Sequence, residues 1–136
     1  MAGLTSRSAA RIAGNVATAL FAVAIVLQLL LAAGVLPITM AWGGRQRVLT
    51  PGLRLASVAA AVILALFAYV IRRRAGLAGS APPSRTIKIL AWLITAFLVL
   101  NTLGNVVSQS PGERALFTPL SFLTALACFV VSISRA

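Results

Sequence analysis

Histidine is absent from this chain of 136 residues, cysteine occurs once, and a single acid, Glu113, stands against 12 basic residues. Each shortage closes a class of chemistry. Without histidine or a second cysteine there is no imidazole or thiolate set to hold a metal, and no internal disulfide. Without a second carboxylate there is no acid–base pair. We therefore expect no catalytic residue, no metal ligand and no cofactor. Charge is also scarce, at 10% of residues against about 25% in soluble domains. What fills the chain is apolar: 60% of residues are hydrophobic and the mean hydropathy is +1.03. These proportions fit a small integral membrane protein.

The few charges mark off four apolar segments. The first is uncharged from Arg11 to Arg45, with its hydrophobic part ending at Pro37; the others lie between Arg54 and Arg72, Lys88 and Glu113, and Arg114 and Arg135. Crossing about 30 Å of hydrocarbon at about 1.5 Å per residue takes roughly 17–25 helical residues. Only internally hydrogen-bonded helices cross as separate segments of this length. The reading is all-α: an integral membrane four-helix bundle forming one domain. Its predicted helices are 12–36, 53–71, 87–108 and 111–134, with an outer loop 37–52 and a Gly-, Ser- and Pro-rich cytoplasmic linker 72–86. The first apolar run is about 25 residues, longer than the roughly 7–15 of a signal-peptide core, and is expected to be a retained anchor.

Basic residues set orientation. Arg7, Arg11, Arg72, Arg73, Arg74, Arg85, Lys88 and Arg135 collect on one side of the four spans, and Arg45, Arg47, Arg54 and Arg114 on the other. This bias predicts that both termini are cytoplasmic, with Tyr69 and Trp92 near the inner interface and Trp42 near the outer. Scattered basic residues without aromatic interleaving argue against nucleic acid as a partner. The expected partners are the lipid bilayer and anionic lipid headgroups, contacted by Arg54, Arg72, Arg73, Arg74 and Arg114. Eleven arginines to one lysine, with abundant Ala, Gly and Val, suggest a GC-rich bacterial genome and hence a bacterial cytoplasmic membrane.

Two helix openings look alike: Thr50-Pro51-Gly52-Leu53-Arg54 and Ser110-Pro111-Gly112-Glu113-Arg114. Each offers an N-cap hydroxyl followed by proline at the first helical position. Glu113, three residues after Ser110, would complete a capping box. That role accounts for the lone acid better than proton-coupled transport. The matching openings would also suit a duplicated hairpin, although cap chemistry alone explains them.

Small and polar residues gather on one face of each helix and mark candidate inner seams. They are Gly14, Ala17, Ala24 and Gln28 in the first helix; Ser57, Ala61 and Ala65 in the second; Asn101, Gly104, Asn105 and Ser108 in the third; and Thr118, Ser121, Ala125, Cys128 and Ser132 in the fourth. Gln28, Asn101 and Asn105 are the costliest side chains to leave in lipid, so each is expected to point inward. Interhelical hydrogen bonding is the plainer role for them, and ligand binding the sharper one. Pro119 should kink the fourth helix, or else Thr118 caps a shorter helix beginning there. Cys128 reads as packing.

The combination of Trp42-Gly43-Gly44, Leu49-x-Pro51-x-x-Arg54 and Asn101-Thr102-Leu103-Gly104-Asn105 through Glu113-Arg114 resembles small four-span bacterial membrane proteins of uncharacterised role. That resemblance implies the fold but no activity. Small multidrug transporters also have four short helices, yet couple protons through a carboxylate in the first helix, which this chain lacks. Two functions remain. One is a non-enzymatic accessory or structural subunit of a membrane complex or homo-oligomer. The other is an oligomeric conduit or binder for a small polar or lipidic molecule, built on Gln28, Asn101 and Asn105.

Overall fold

The computed structural model describes residues 2–41 and 48–134, without the side chains of Ala2, Leu4 and Met40. Four long helices dominate: α1 (Arg7–Ala33), α2 (Pro51–Arg74), α3 (Arg85–Val106) and α4 (Pro111–Ser132). A short helical turn, Ala2–Thr5, precedes α1, and a 3-10 turn, Ile38–Met40, follows it. All four helices are long and apolar enough to cross a membrane. At 1.5 Å per residue their 22 to 27 residues reach about 33–40 Å.

Every long helix opens on a hydroxyl cap. Ser6, Thr50, Ser84 and Ser110 each accept the backbone N–H three residues on, at 3.1–3.2 Å. These bonds satisfy amides that would otherwise lack partners at the membrane edge. Only Thr50 and Ser110 were expected from the sequence. The reciprocal arm of the capping box is replaced: the Ser110 N–H donates to Ser108 Oγ at 3.1 Å, and Glu113 Oε1 is buried without a hydrogen-bond partner. The turn at 107–110 brings Ser108 to the amide first.

The helices run past the charges that were expected to bound them. Arg7 and Arg11 lie within α1, and Arg72, Arg73 and Arg74 form the last turn of α2. Glycine then stops both. Gly34 (φ +81°) and Gly76 (φ +79°) adopt left-handed conformations, and the next N–H of each returns to the carbonyl five residues back: Val35 to Leu30 at 2.9 Å and Leu77 to Arg72 at 2.8 Å. Only glycine takes that conformation without penalty. In α4 the helix is continuous through Pro119, so Thr118 does not begin a shorter one.

Packing follows a ring, α2–α1–α4–α3, in which the α2–α3 seam is the thinnest. One core cluster joins Ala13, Ala17, Phe21 and Ile71 to Ile94, Leu98, Cys128 and Val131; a smaller one joins Leu31, Ala41 and Phe117. Outward-facing Leu55, Leu66, Leu93 and Leu100 are 60–69% exposed, as a lipid-facing surface requires. Part of every expected seam is buried: Gly14 and Ala17, Ser57 and Ala61, Asn105 and Ser108, and Ser121, Ala125, Cys128 and Ser132. Ala65, Gly104 and Asn101 are instead exposed: each helix turns its most closely packed face inward, and these three fall at its edge.

Candidate functional site

The two ends of the bundle differ, and the difference defines the site. We call the end carrying Ser6, Gly76 and Ser84 the linker end, and the end carrying Gly34, Thr50 and Ser110 the hairpin end.

At the hairpin end α3 is tied to α4 through Ser121. Asn101 and Asn105 stand four residues apart, hence on one helical face. Both side-chain amides donate to Ser121 Oγ, at 2.8 and 2.9 Å, and Asn105 also reaches the Phe117 carbonyl at 3.3 Å. Asn105 is buried, whereas Asn101 stands at the α2–α3 seam. Gln28 joins neither: the side chain is half-buried, and its Oε1 is buried with no hydrogen-bond partner. The three amides expected to act together therefore separate into a bonded pair and a lone member.

Gln28 faces a cavity of about 420 Å³ to which all four helices contribute. That lies within the range of about 300–1,000 Å³ usual for small-molecule sites. α1 supplies Phe21, Ala24 and Gln28; α2 supplies Ala56, Ala60, Ile63, Leu64 and Phe67; α3 supplies Phe97, Leu98 and Asn101; α4 supplies Phe117, Leu120, Ser121 and Thr124. Its floor is a chain of rings. Phe21 meets Phe67 at 6.4 Å and Phe67 meets Phe97 at 5.6 Å, both edge to face, a favourable geometry for aromatic quadrupoles. No charged side chain lines it.

Among the described residues, four buried side-chain oxygens make no hydrogen bond: Gln28 Oε1, Ser57 Oγ, Glu113 Oε1 and Thr118 Oγ1. All four lie in the hairpin-end half of their helices. Buried polar atoms rarely stay unpaired, and these four oxygens all fall in the half of the bundle that holds the cavity.

The linker end is the opposite case. Arg74 is buried at 4% exposure, and its Nη2 donates to the Ser134 carbonyl at 2.6 Å and to Ser132 at 3.4 Å. Arg72 donates to Asn15 Oδ1 and Thr18 Oγ1, both at 3.2 Å, and Arg11 to the Gly76 carbonyl at 2.8 Å. Thr95 and Ser132 share a bond at 3.2 Å. Gly14 packs so closely that a Cβ there would stand 2.7 Å from Ala75 Cβ and 2.8 Å from Leu77 Cδ1.

Of the arginines expected at headgroups, Arg54 donates to the Ala32 carbonyl at 3.0 Å and Arg114 to the Ser108 carbonyl, and both remain exposed. Arg73 is half-buried, its guanidinium against Gly79. Arg74 alone is withdrawn from the surface. Trp42, Arg45, Arg47 and Arg135 lie outside the described residues. Sequence reasoning missed Asn15 and Thr18, although their spacing of three on a helix that passes Arg72 was a usable signal. The phenylalanine floor had none, because its rings come from three helices.

No protein-family model, curated protein or solved structure matches this chain.

Proposed function

We propose that this is a non-enzymatic, multi-pass membrane protein that holds one small lipidic molecule in the cavity beside Gln28. The observation that carries this reading is the apolar chamber of about 420 Å³ to which all four helices contribute. An apolar chamber left empty forfeits dispersion contacts along its walls, and a bound hydrocarbon body restores them. Asn101 and Asn105 serve mainly as interhelical ties, so binding rests on the apolar wall beside Gln28. With no acid–base set in reach, retention rather than reaction is the activity.

In this reading both termini are cytoplasmic, following the excess of basic residues at the linker end. The cavity then occupies the outer half of a bacterial cytoplasmic membrane. Arg54, Arg72, Arg73 and Arg114 meet anionic headgroups, while Arg74 is structural.

The test uses a long-chain alkyl probe carrying a diazirine, with the protein in lipid nanodiscs. Photolabelling should map to cavity residues, and Ala60→Trp, which fills the chamber, should abolish it while leaving helicity and elution unchanged. Uniform labelling of the outer surface, unaltered by Ala60→Trp, refutes the reading.

One observation favours an accessory subunit as the second reading. Gly104 is exposed, with nothing within 4 Å of where its Cβ would stand, and a small residue on a lipid-facing surface lets another helix come close. Copurification in mild detergent that is lost in Gly104→Leu supports it; a lone monomer rejects it.

A further inference from the structure

We infer that the chamber takes one acyl chain of a membrane lipid whose head group stays in the hairpin-end leaflet. The chain enters sideways between α2 and α3 and stops against the phenylalanine floor. This deepens the proposed function and rests on the chamber being a ligand site.

The occupant is hydrocarbon because the wall calls for nothing else. No charged side chain lines it, and its polar side chains are engaged within the protein. Asn101 donates to Ser121 at 2.8 Å, Thr124 donates to the Leu120 carbonyl at 2.6 Å, and Gln28 Oε1 is covered by surrounding atoms. What remains is apolar, including Phe21, Leu64, Phe67, Phe97 and Leu120. A chain already dissolved in the bilayer gains no hydrophobic energy by moving there. It gains dispersion contacts from walls on several sides.

Length points to a single leaflet. Along α2 the lining runs from Ala56 to Phe67, a rise of about 17 Å, close to half of the roughly 30 Å hydrocarbon core. On α1, α2 and α3 the lining residue nearest the linker end is a phenylalanine: Phe21, Phe67 and Phe97. A chain lying along the helices therefore meets the rings where its own leaflet ends. Beyond them a second groove continues between α2 and α3 past Val70, Leu90 and Ile94, and it shares Phe67 and Phe97 with the chamber. The rings divide one seam into two grooves and so limit the length that enters.

The mouth follows from which lining residues are covered. Phe21 of α1 and Phe117, Ser121 and Thr124 of α4 are 1–9% exposed, whereas Ile63 of α2 and Phe97 of α3 are 47% and 49% exposed. The chamber is backed by α1 and α4 and opens to lipid through the thin α2–α3 seam. Phe67 and Phe97 meet across that seam at 5.6 Å, which keeps α2 and α3 too close to admit a helix about 10–12 Å wide. A single hydrocarbon chain passes.

The experiment uses nanodiscs and two phosphatidylcholines, one with a diazirine at the end of a palmitoyl chain and one with it beside the carbonyl. The terminal probe should mark Phe21, Phe67 and Phe97, and the carbonyl-side probe Ala56 and Ala59. Each should be enriched roughly threefold or more over the lipid-facing Leu55, Leu66, Leu93 and Leu100. Unlabelled phosphatidylglycerol with the same chains should compete as well as phosphatidylcholine. Phe97→Ala, and separately Phe67→Ala, should carry the terminal label on to Val70 and Ile94. A preference for one head group overturns retention by the chain alone. A terminal label that stays in place in both variants, with helicity unchanged, overturns the length stop. A disulfide between two copies of Ile63→Cys, without chamber labelling, puts a second copy at the mouth instead. Even labelling of the outward faces overturns the phospholipid assignment, yet leaves the ligand site standing if the free alkyl probe still marks the chamber. Loss of both labels removes the site itself.

Discussion

The linker end and the hairpin end are built from the same four helices, yet one is tied across the bundle by arginines and the other surrounds a chamber. At the linker end glycine and alanine bring backbones together, and arginines from α1 and α2 cap carbonyls and side-chain oxygens across the bundle. At the hairpin end aromatic and amide side chains hold the helices apart around a chamber, and four oxygens stay unpaired. In lipid, hydrophobicity does not press helices together. Close contact arises where small residues let backbones meet, whereas around the chamber Ala24, Ala56, Ala59 and Ala60 leave space that no neighbouring side chain fills. The comparison teaches that stability and binding have been assigned to opposite ends of one bundle.

The contrast is most exposed to failure at Gly14. Leucine there would collide with Ala75 and Leu77, and overpacking of a tight interface costs about 1–3 kcal/mol or more. We expect Gly14→Leu to lower the thermal midpoint in detergent more than any other substitution proposed here. Arg74→Met comes next. It strips the Ser132 and Ser134 carbonyls of a charged donor, and bonds to charged groups contribute about 1.5–3 kcal/mol; a midpoint unmoved by this change would mean that the linker end is not locked as described. Asn105→Leu removes two donations to α4 and should cost about 0.6–2 kcal/mol, measurable by steric trapping in bicelles. Ala60→Leu fills space at the hairpin end and should be neutral within about 1 kcal/mol. If Ala60→Leu destabilised as much as Gly14→Leu, the two ends would be equally packed and the comparison would collapse.

The number and type of the helices could be read from the spacing of charges, because a membrane span is defined by what it excludes. Their ends could not be read as well. Charge spacing sets Arg11 and Arg72 as limits, but a helix continues into the headgroup region as long as its own hydrogen bonds hold; Gly34 and Gly76 are the better signals. Asn105 was correctly turned inward by its cost in lipid. Asn101 and Gln28 were not separable from it on paper, since their fates depend on how far α2 stands from α3. That distance is set by the rotation of whole helices, and a sequence apolar on every face does not record rotation. Glu113 shows the same limit locally: the capping-box spacing was present, yet Ser108 reached the Ser110 amide instead.

The bond from Arg74 to the Ser134 carbonyl spans 60 residues of chain. The second helix is therefore complete, in order of synthesis, before the carbonyl that this guanidinium caps exists, and the contact can form only once the chain just past the fourth helix has been made.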